Sequence, residues 1–122
     1  MNRQEVLDYV KGKYGTSPEY LWERDSTSGV LRHSENTKWY GIIMSVKRST
    51  LGLEGEAFID ILNLKCNPED IDFFRQIEGI LPGYHMNKSH WISVSLDGMA
   101  DDNLLMDLID RSYELTLPKK IS

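Results

Sequence analysis

The chain has 122 residues, 40% hydrophobic and 27% charged, a globular balance that excludes a disordered, fibrous or membrane-embedded class. That length suits a single domain over residues 1–122, able to bury one continuous core without disulfides or a structural metal. A net charge of -5 and a pI near 5.1 argue against a surface that traps nucleic acid everywhere, so any such contact must be local.

The first element is a helix. Asn2 supplies the cap, Val6, Tyr9, Val10 and Tyr14 recur at helical spacing, and Gly15 ends it. Nothing at this end has the basic-then-apolar pattern of a secretory leader, and no apolar run approaches the roughly 20 residues that span a bilayer. A cytoplasmic protein is expected. Cys66 is the single cysteine, so an intrachain disulfide and a four-cysteine zinc site are both excluded.

The segment Thr16 to Trp22 reads as a loop whose aromatics Tyr20 and Trp22 fold back onto the core, and Asp25-Ser26-Thr27-Ser28-Gly29 has turn composition. Val30 to His33, the polar turn Ser34 to Thr37, and Lys38 to Val46 predict a hairpin with Tyr40, Ile42, Met44 and Val46 on one face. After Lys47 and Arg48, the glycine-punctuated connection Leu51 to Gly55 is placed to project as a wing. Ala57 to Leu64 is the third strand.

Asn67-Pro68-Glu69-Asp70 is a helix start: Asn offers a cap oxygen, Pro fits the first turn, and the acids face the positive end of the helix dipole. Ile71, Phe74 and Ile77 then face inward, and Gly79 with Pro82-Gly83 closes the unit. Trp91 to Leu96 alternates as a strand, Asp97-Gly98 turns, and Leu104, Leu105, Leu108, Ile109 and Tyr113 mark a last helix. The predicted order is α-β-β-β-α-β-α. Its short connections require an antiparallel sheet, giving an α+β, two-layer domain with helices on one face.

Charge is uneven along this order. Arg32, Lys38, Lys47 and Arg48 face only Glu35 in their stretch, whereas Glu54 to Glu78 is strongly acidic. Lys119-Lys120 adds a basic pair near the end. Pro82 to Trp91 is the leading site candidate, because it gathers His85, Asn87, Lys88, His90 and Trp91 between a helix and a strand. The competing reading makes Tyr84, Met86 and Trp91 core plugs and leaves the polar side chains to satisfy backbone groups.

No P-loop, GxGxxG or GxSxG pattern is present, and the pairs Glu69-Asp70 and Asp101-Asp102 sit where helix capping explains them. His33, His85 and His90 with an Asp or Cys66 lack the spacing of a metal site, so no metal and no cofactor is expected. Cys66 reads as an inert thiol.

Read together, Ser17-Pro18-Glu19-Tyr20-Leu21-Trp22, Lys38-Trp39-Tyr40-Gly41-Ile42-Ile43-Met44, Asn63-Leu64-Lys65-Cys66-Asn67-Pro68-Glu69, Pro82 through Trp91, Leu96-Asp97-Gly98 and Ser112-Tyr113-Glu114-Leu115 strongly resemble the MmcQ/YjbR family. The resemblance implies a compact fold like that of the bacterial frataxin homologue (CyaY-like), and a double-wing arrangement labelled DNA-binding. It implies no enzymatic activity. The expectation is therefore a nonenzymatic DNA-binding domain in which Lys47 and Arg48 at the base of a wing contact phosphates, with His85, Asn87, Lys88, His90 and Trp91 as a second contact surface. The alternative is a small-molecule or protein-partner binding domain whose pocket is lined by the 82–91 loop with Tyr20, Trp22 and Trp39. An enzyme using His85 or His90 as a general base lacks a partner constellation.

Overall fold

A computed structural model of the chain describes residues 1–118, so the Lys119-Lys120 pair lies outside the described residues. Helix α1 spans Arg3–Tyr14. Asn2 closes its start as a capping box, its side-chain oxygen accepting from the Glu5 N–H at 2.9 Å while its own N–H donates to the Glu5 carboxylate at 3.0 Å. Gly15 ends it in the left-handed conformation at φ 68°. Val6 and Val10 are its buried stripe.

Five strands follow: β1 (Gly29–Arg32), β2 (Trp39–Lys47), β3 (Phe58–Lys65), β4 (Ile80–Pro82) and β5 (Trp91–Ser95). They form one antiparallel sheet in the order β1-β2-β3-β5-β4. β4 is a strand that the sequence pattern does not predict, since Gly79 and Pro82-Gly83 read as the closure of a helical unit. Pro82 is compatible with a strand here because β4 lies at the sheet edge, where no N–H is required on the outer side.

Between β3 and β4, Pro68–Asp70 form a 3-10 turn that leads into the one-turn helix α2, Ile71–Phe74. The expected side-chain cap from Asn67 is not made; its backbone carbonyl accepts from the Asp70 N–H at 3.0 Å instead. Ile71 and Phe74 are buried as the spacing predicts, and Ile77 is half-buried beyond the helix end. Helix α3, Asp102–Leu115, starts where Asp101 accepts from the N–H groups of Asn103 and Leu104 at 3.0 and 3.2 Å.

All three helices pack on one sheet face. Val6, Val10, Ile71, Phe74, Leu105, Leu108 and Ile109 share a cluster with Leu31, Ile43, Leu62, Leu64, Ile92 and Val94. The opposite face carries a second cluster of Ile42, Met44, Ile59 and Ile61, covered by Trp39, Val46, Leu51, Tyr84 and Met86. Central strands are therefore buried on both faces, which is why β2 reads as a nearly continuous apolar run. No helix among the described residues is long and apolar enough to cross a membrane.

Tyr40 does not share a face with Ile42, as simple alternation predicts. Arg32 is opposite Trp39 while Leu31 is opposite Gly41, so Tyr40 is an extra residue in β2, a bulge. Tyr40 and Gly41 both turn to the helices, and Gly41 fits because a Cβ there would lie 3.0 Å from the Leu31 side chain. Ser112 of α3 repairs the interrupted ladder: its hydroxyl donates to the Tyr40 carbonyl at 2.5 Å and accepts from the Lys65 N–H at 2.9 Å. Tyr40 then joins Tyr14, Tyr113 and His33 in an aromatic cluster under the helices. Burial pushes the Tyr40 phenol up to about 12.

Candidate functional site

The β4–β5 connection, residues 83–90, is held against the sheet face that no helix covers. Gly83 enters it so close to Trp91 that a Cβ would lie 2.8 Å from the Trp91 carbonyl oxygen. The next residue is fixed from below by two buried polar side chains. The Tyr84 N–H donates to Ser93 Oγ at 2.9 Å, and its carbonyl accepts from Asn63 Nδ2 at 2.9 Å. Ser93 Oγ in turn donates to Asn63 Oδ1.

His85 follows at φ 58°, left-handed for a residue with a side chain, and its ring stacks on Tyr84 with centroids 4.0 Å apart and planes 15° from parallel. Left-handed backbone at such a loop is a feature to connect with function. Asn87 serves the turn itself. Its carbonyl accepts from the N–H groups of His90 and Trp91, each at 3.0 Å, and its side-chain oxygen accepts from the Ser89 N–H at 2.9 Å. Lys88 and His90 are exposed, and Trp91 is half-buried at the start of β5 rather than a core plug.

Across the same face, the 15–28 segment runs beside β1, with Glu19 bridged to Val30. Tyr20, Leu21 and Trp22 do not fold into the core; they are 52%, 47% and 41% exposed. Trp22 meets Trp39 edge to face at 5.9 Å. Between this segment and the 83–86 turn lies a groove of about 390 Å³. Ile42, Met44 and Trp39 of β2 supply its floor, Trp22, Arg24, Asp25 and Ser28 one wall, and Tyr84, His85 and Met86 the other.

The cations expected to form a wing contact lie elsewhere. Lys47 ends β2 opposite Phe58, whereas Trp91 pairs with Lys65 at the far end of β3, about 23 Å of strand away. The structure thus separates Lys47 from Trp91 and the turn from Asn87 to His90 that is bonded to it, while His85 lies nearer, lining the groove with Met44. Arg48 is also engaged, its Nε donating to the Glu54 carbonyl at 2.9 Å and its guanidinium 3.9 Å from Asp97. Lys47 is exposed.

His33 lies apart from the loop that carries His85 and His90, and among the described residues no three His, Cys, Asp or Glu side chains group to hold a metal. His33 is buried under the helices with Nε2 2.7 Å from Thr116 Oγ1, and burial holds its pKa below the usual imidazole value. Cys66 is buried, which pushes its thiol up, away from nucleophilic character. A larger cavity of about 530 Å³ lies between Cys66 and α3, and two of its charged groups are engaged with each other while a third is held from α1. Asp107 pairs with Arg111 at 2.7 Å. Asp110 accepts from Lys13, Tyr9 and Tyr14, and these bonds outweigh burial to hold its carboxyl below 3.8. The aromatic groove, where side chains of three separate segments meet, is the candidate site.

Of the residues expected around a pocket, Trp22, Trp39 and, from the 82–91 loop, Tyr84, His85 and Met86 line the groove, whereas Tyr20, Asn87, Lys88, His90 and Trp91 do not. Ile42 and Met44 mark one strand face and Asp25 a turn without pointing to a pocket, and Arg24 carries no signal of its own, although the apolar character of both faces of β2 signals that something besides the helices covers it.

Comparison with known proteins agrees with this architecture. The family model described as YjbR matches residues 11–115. The uncharacterised Bacillus subtilis protein YyaQ is 50% identical over 116 residues, covering 95% of this chain and 98% of that one. A Pseudomonas syringae crystal structure superposes with a TM-score of 0.94 at 41% identity, covering 96% of this chain and all of that one, 100%. A Deinococcus radiodurans protein superposes at 0.74 with 27% identity, covering 100% of this chain and 83% of its own.

Proposed function

The chain belongs to the YjbR family, and from that premise we infer that it is a nonenzymatic binding domain whose site is the aromatic groove on the helix-free sheet face. One observation carries this reading: Trp22, Trp39, Tyr84, His85 and Met86, drawn from three separate segments, converge around a single concavity of about 390 Å³. Pockets of a few hundred Å³ lined by aromatic and apolar groups with a few polar ones are the common form of a small-ligand site. Rigid aromatic walls favour flat ligands, and Met44 and Met86 add polarizable sulfur contacts.

The test uses the indole N–H signals of the three tryptophans. Aromatic fragments titrated into the protein should shift the Trp22 and Trp39 signals saturably and leave Trp91 in place, and Trp22→Ala should weaken binding about tenfold, the worth of one stacking contact. Shifts confined to Trp91, or none at all, would remove the groove from consideration.

A second reading, duplex DNA binding of the double-wing kind, is favoured by Lys47 and Lys88, which are exposed and have no ion-pair partner among the described residues. It ranks below the groove because those lysines sit on separate parts of the sheet and Arg48 is committed within its own loop.

A further inference from the structure

Resting on the groove reading above, we propose that the ligand is a small, flat aromatic molecule carrying an anionic group, a carboxylate or phosphate, which Arg24 holds at the groove wall while the ring lies among Trp22, Trp39 and the Tyr84–His85 stack.

The argument turns on which polar groups of the groove are still free. Asp25 is spent: its carboxylate accepts from the Thr27 N–H at 3.2 Å, from Thr27 Oγ1 at 2.7 Å and from Ser28 Oγ. Ser28 is spent with it, donating to that same carboxylate. Arg24, next along the wall, makes no ion pair or side-chain hydrogen bond among the described residues. A guanidinium offers five donors in a planar fork, which matches a carboxylate or phosphate bidentately. The wall therefore has donors to spare and acceptors already used, so it selects a ligand that brings acceptors. The Asp25 charge beside Arg24 partly offsets its field, which makes geometry rather than net charge the basis of recognition.

The apolar part of the ligand is set by the rest of the lining. Ile42 and Met44 form a floor without free polar groups, and the tryptophans meet at 87° to one another, so a flat ring can lie against one indole and edge-on to the other. A cavity of about 390 Å³ suits a bicyclic ring with one substituent, at the small end of ligand pockets. The 83–86 turn that makes the opposite wall is pinned by Asn63 and Ser93, so that wall is preformed and ligand binding need not order it.

The experiment titrates naphthoate, naphthyl phosphate, neutral naphthamide and a short oligothymidine into the wild-type protein, Arg24→Gln and Arg24→Lys, following the Trp22 and Trp39 indole signals. The anionic compounds should bind about tenfold or more tighter than the amide, Arg24→Gln should erase that preference, and Arg24→Lys should restore only part of it. Equal binding of acid and amide, with the indole shifts intact, would overturn the anion assignment and leave the groove. Shifts produced by oligothymidine alone would overturn the small-ligand assignment. No shift from any of the four would overturn both this inference and the groove reading beneath it.

Discussion

Asn63 and Ser93, opposite each other on β3 and β5, form a buried polar pair on a largely apolar sheet face, and between them they satisfy both backbone groups of Tyr84. A buried amide and hydroxyl on such a face are tolerable only because each finds a partner. Asn63→Ala leaves the Tyr84 carbonyl and Ser93 without theirs, and Ser93→Ala strands the Tyr84 N–H. Each should cost about 1–3 kcal/mol in denaturant unfolding and accelerate hydrogen exchange at the Tyr84 amide. Full stability with an unchanged exchange rate would mean the pair is not what holds the turn.

Two glycines should respond to alanine with opposite sign. At Gly83 a Cβ would sit 2.8 Å from the Trp91 carbonyl oxygen and 2.9 Å from its Cβ, and backbone cannot swing aside as a flexible side chain can. Gly83→Ala should destabilise by about 1–3 kcal/mol. Gly12 lies within α1 with nothing inside 4 Å of a new Cβ, so Gly12→Ala should stabilise by about 0.5–1 kcal/mol. Thermal midpoints moving in the same direction for both would contradict this account.

His33 ties stability to pH. Its ring is buried beside Tyr40, Tyr113 and Thr116, with Glu35 the nearby charge, and burial lowers its pKa against the smaller upward pull of the Tyr113 backbone and Glu35. The unfolded chain, with an ordinary value of 6.5, therefore binds a proton more readily than the folded one. The contribution is complete above that value and declines as pH falls through it toward the lower folded value. Denaturation midpoints measured from about pH 7.5 to pH 5 should drop for the wild type and flatten for His33→Gln. Equal slopes in the two proteins would assign the dependence to other groups.

Duplex DNA, if bound at the exposed lysines, must obey counterion release. Lys47→Ala and Lys88→Ala should each reduce the slope of log affinity against log salt by about 0.9. Arg48→Ala should behave differently, loosening the 48–57 loop it braces through the Glu54 carbonyl rather than the slope. Absence of saturable binding at low salt would sink the DNA reading.

Local signals were the most legible part of the sequence. Asn2 and Gly15 bracket α1, Asp101 caps α3, and the strand pairs follow their short turns, because each depends on chemistry within a few residues. What escaped was set by distant contacts. β4 is three residues long and is a strand only because β5 pairs with it. Asn67 has the composition of a cap but the backbone turn at Pro68 leaves its side chain unused. Arg24 and Met44 belong to the groove only once the 83–86 turn is fastened to Asn63 and Ser93, residues thirty apart in the chain.

The extra residue in β2 sets the phase of the strand on either side of it. Counting back from Ile43 in strict alternation would send Trp39 toward the helices and Tyr40 toward the open face; the bulge exchanges them. One added residue thus furnishes an indole to the groove and a phenol to the cluster beneath α1 and α3. Deleting it would not thin one layer but transpose two, so the recognition surface and the helical layer are inherited together, through a single slipped step in one strand.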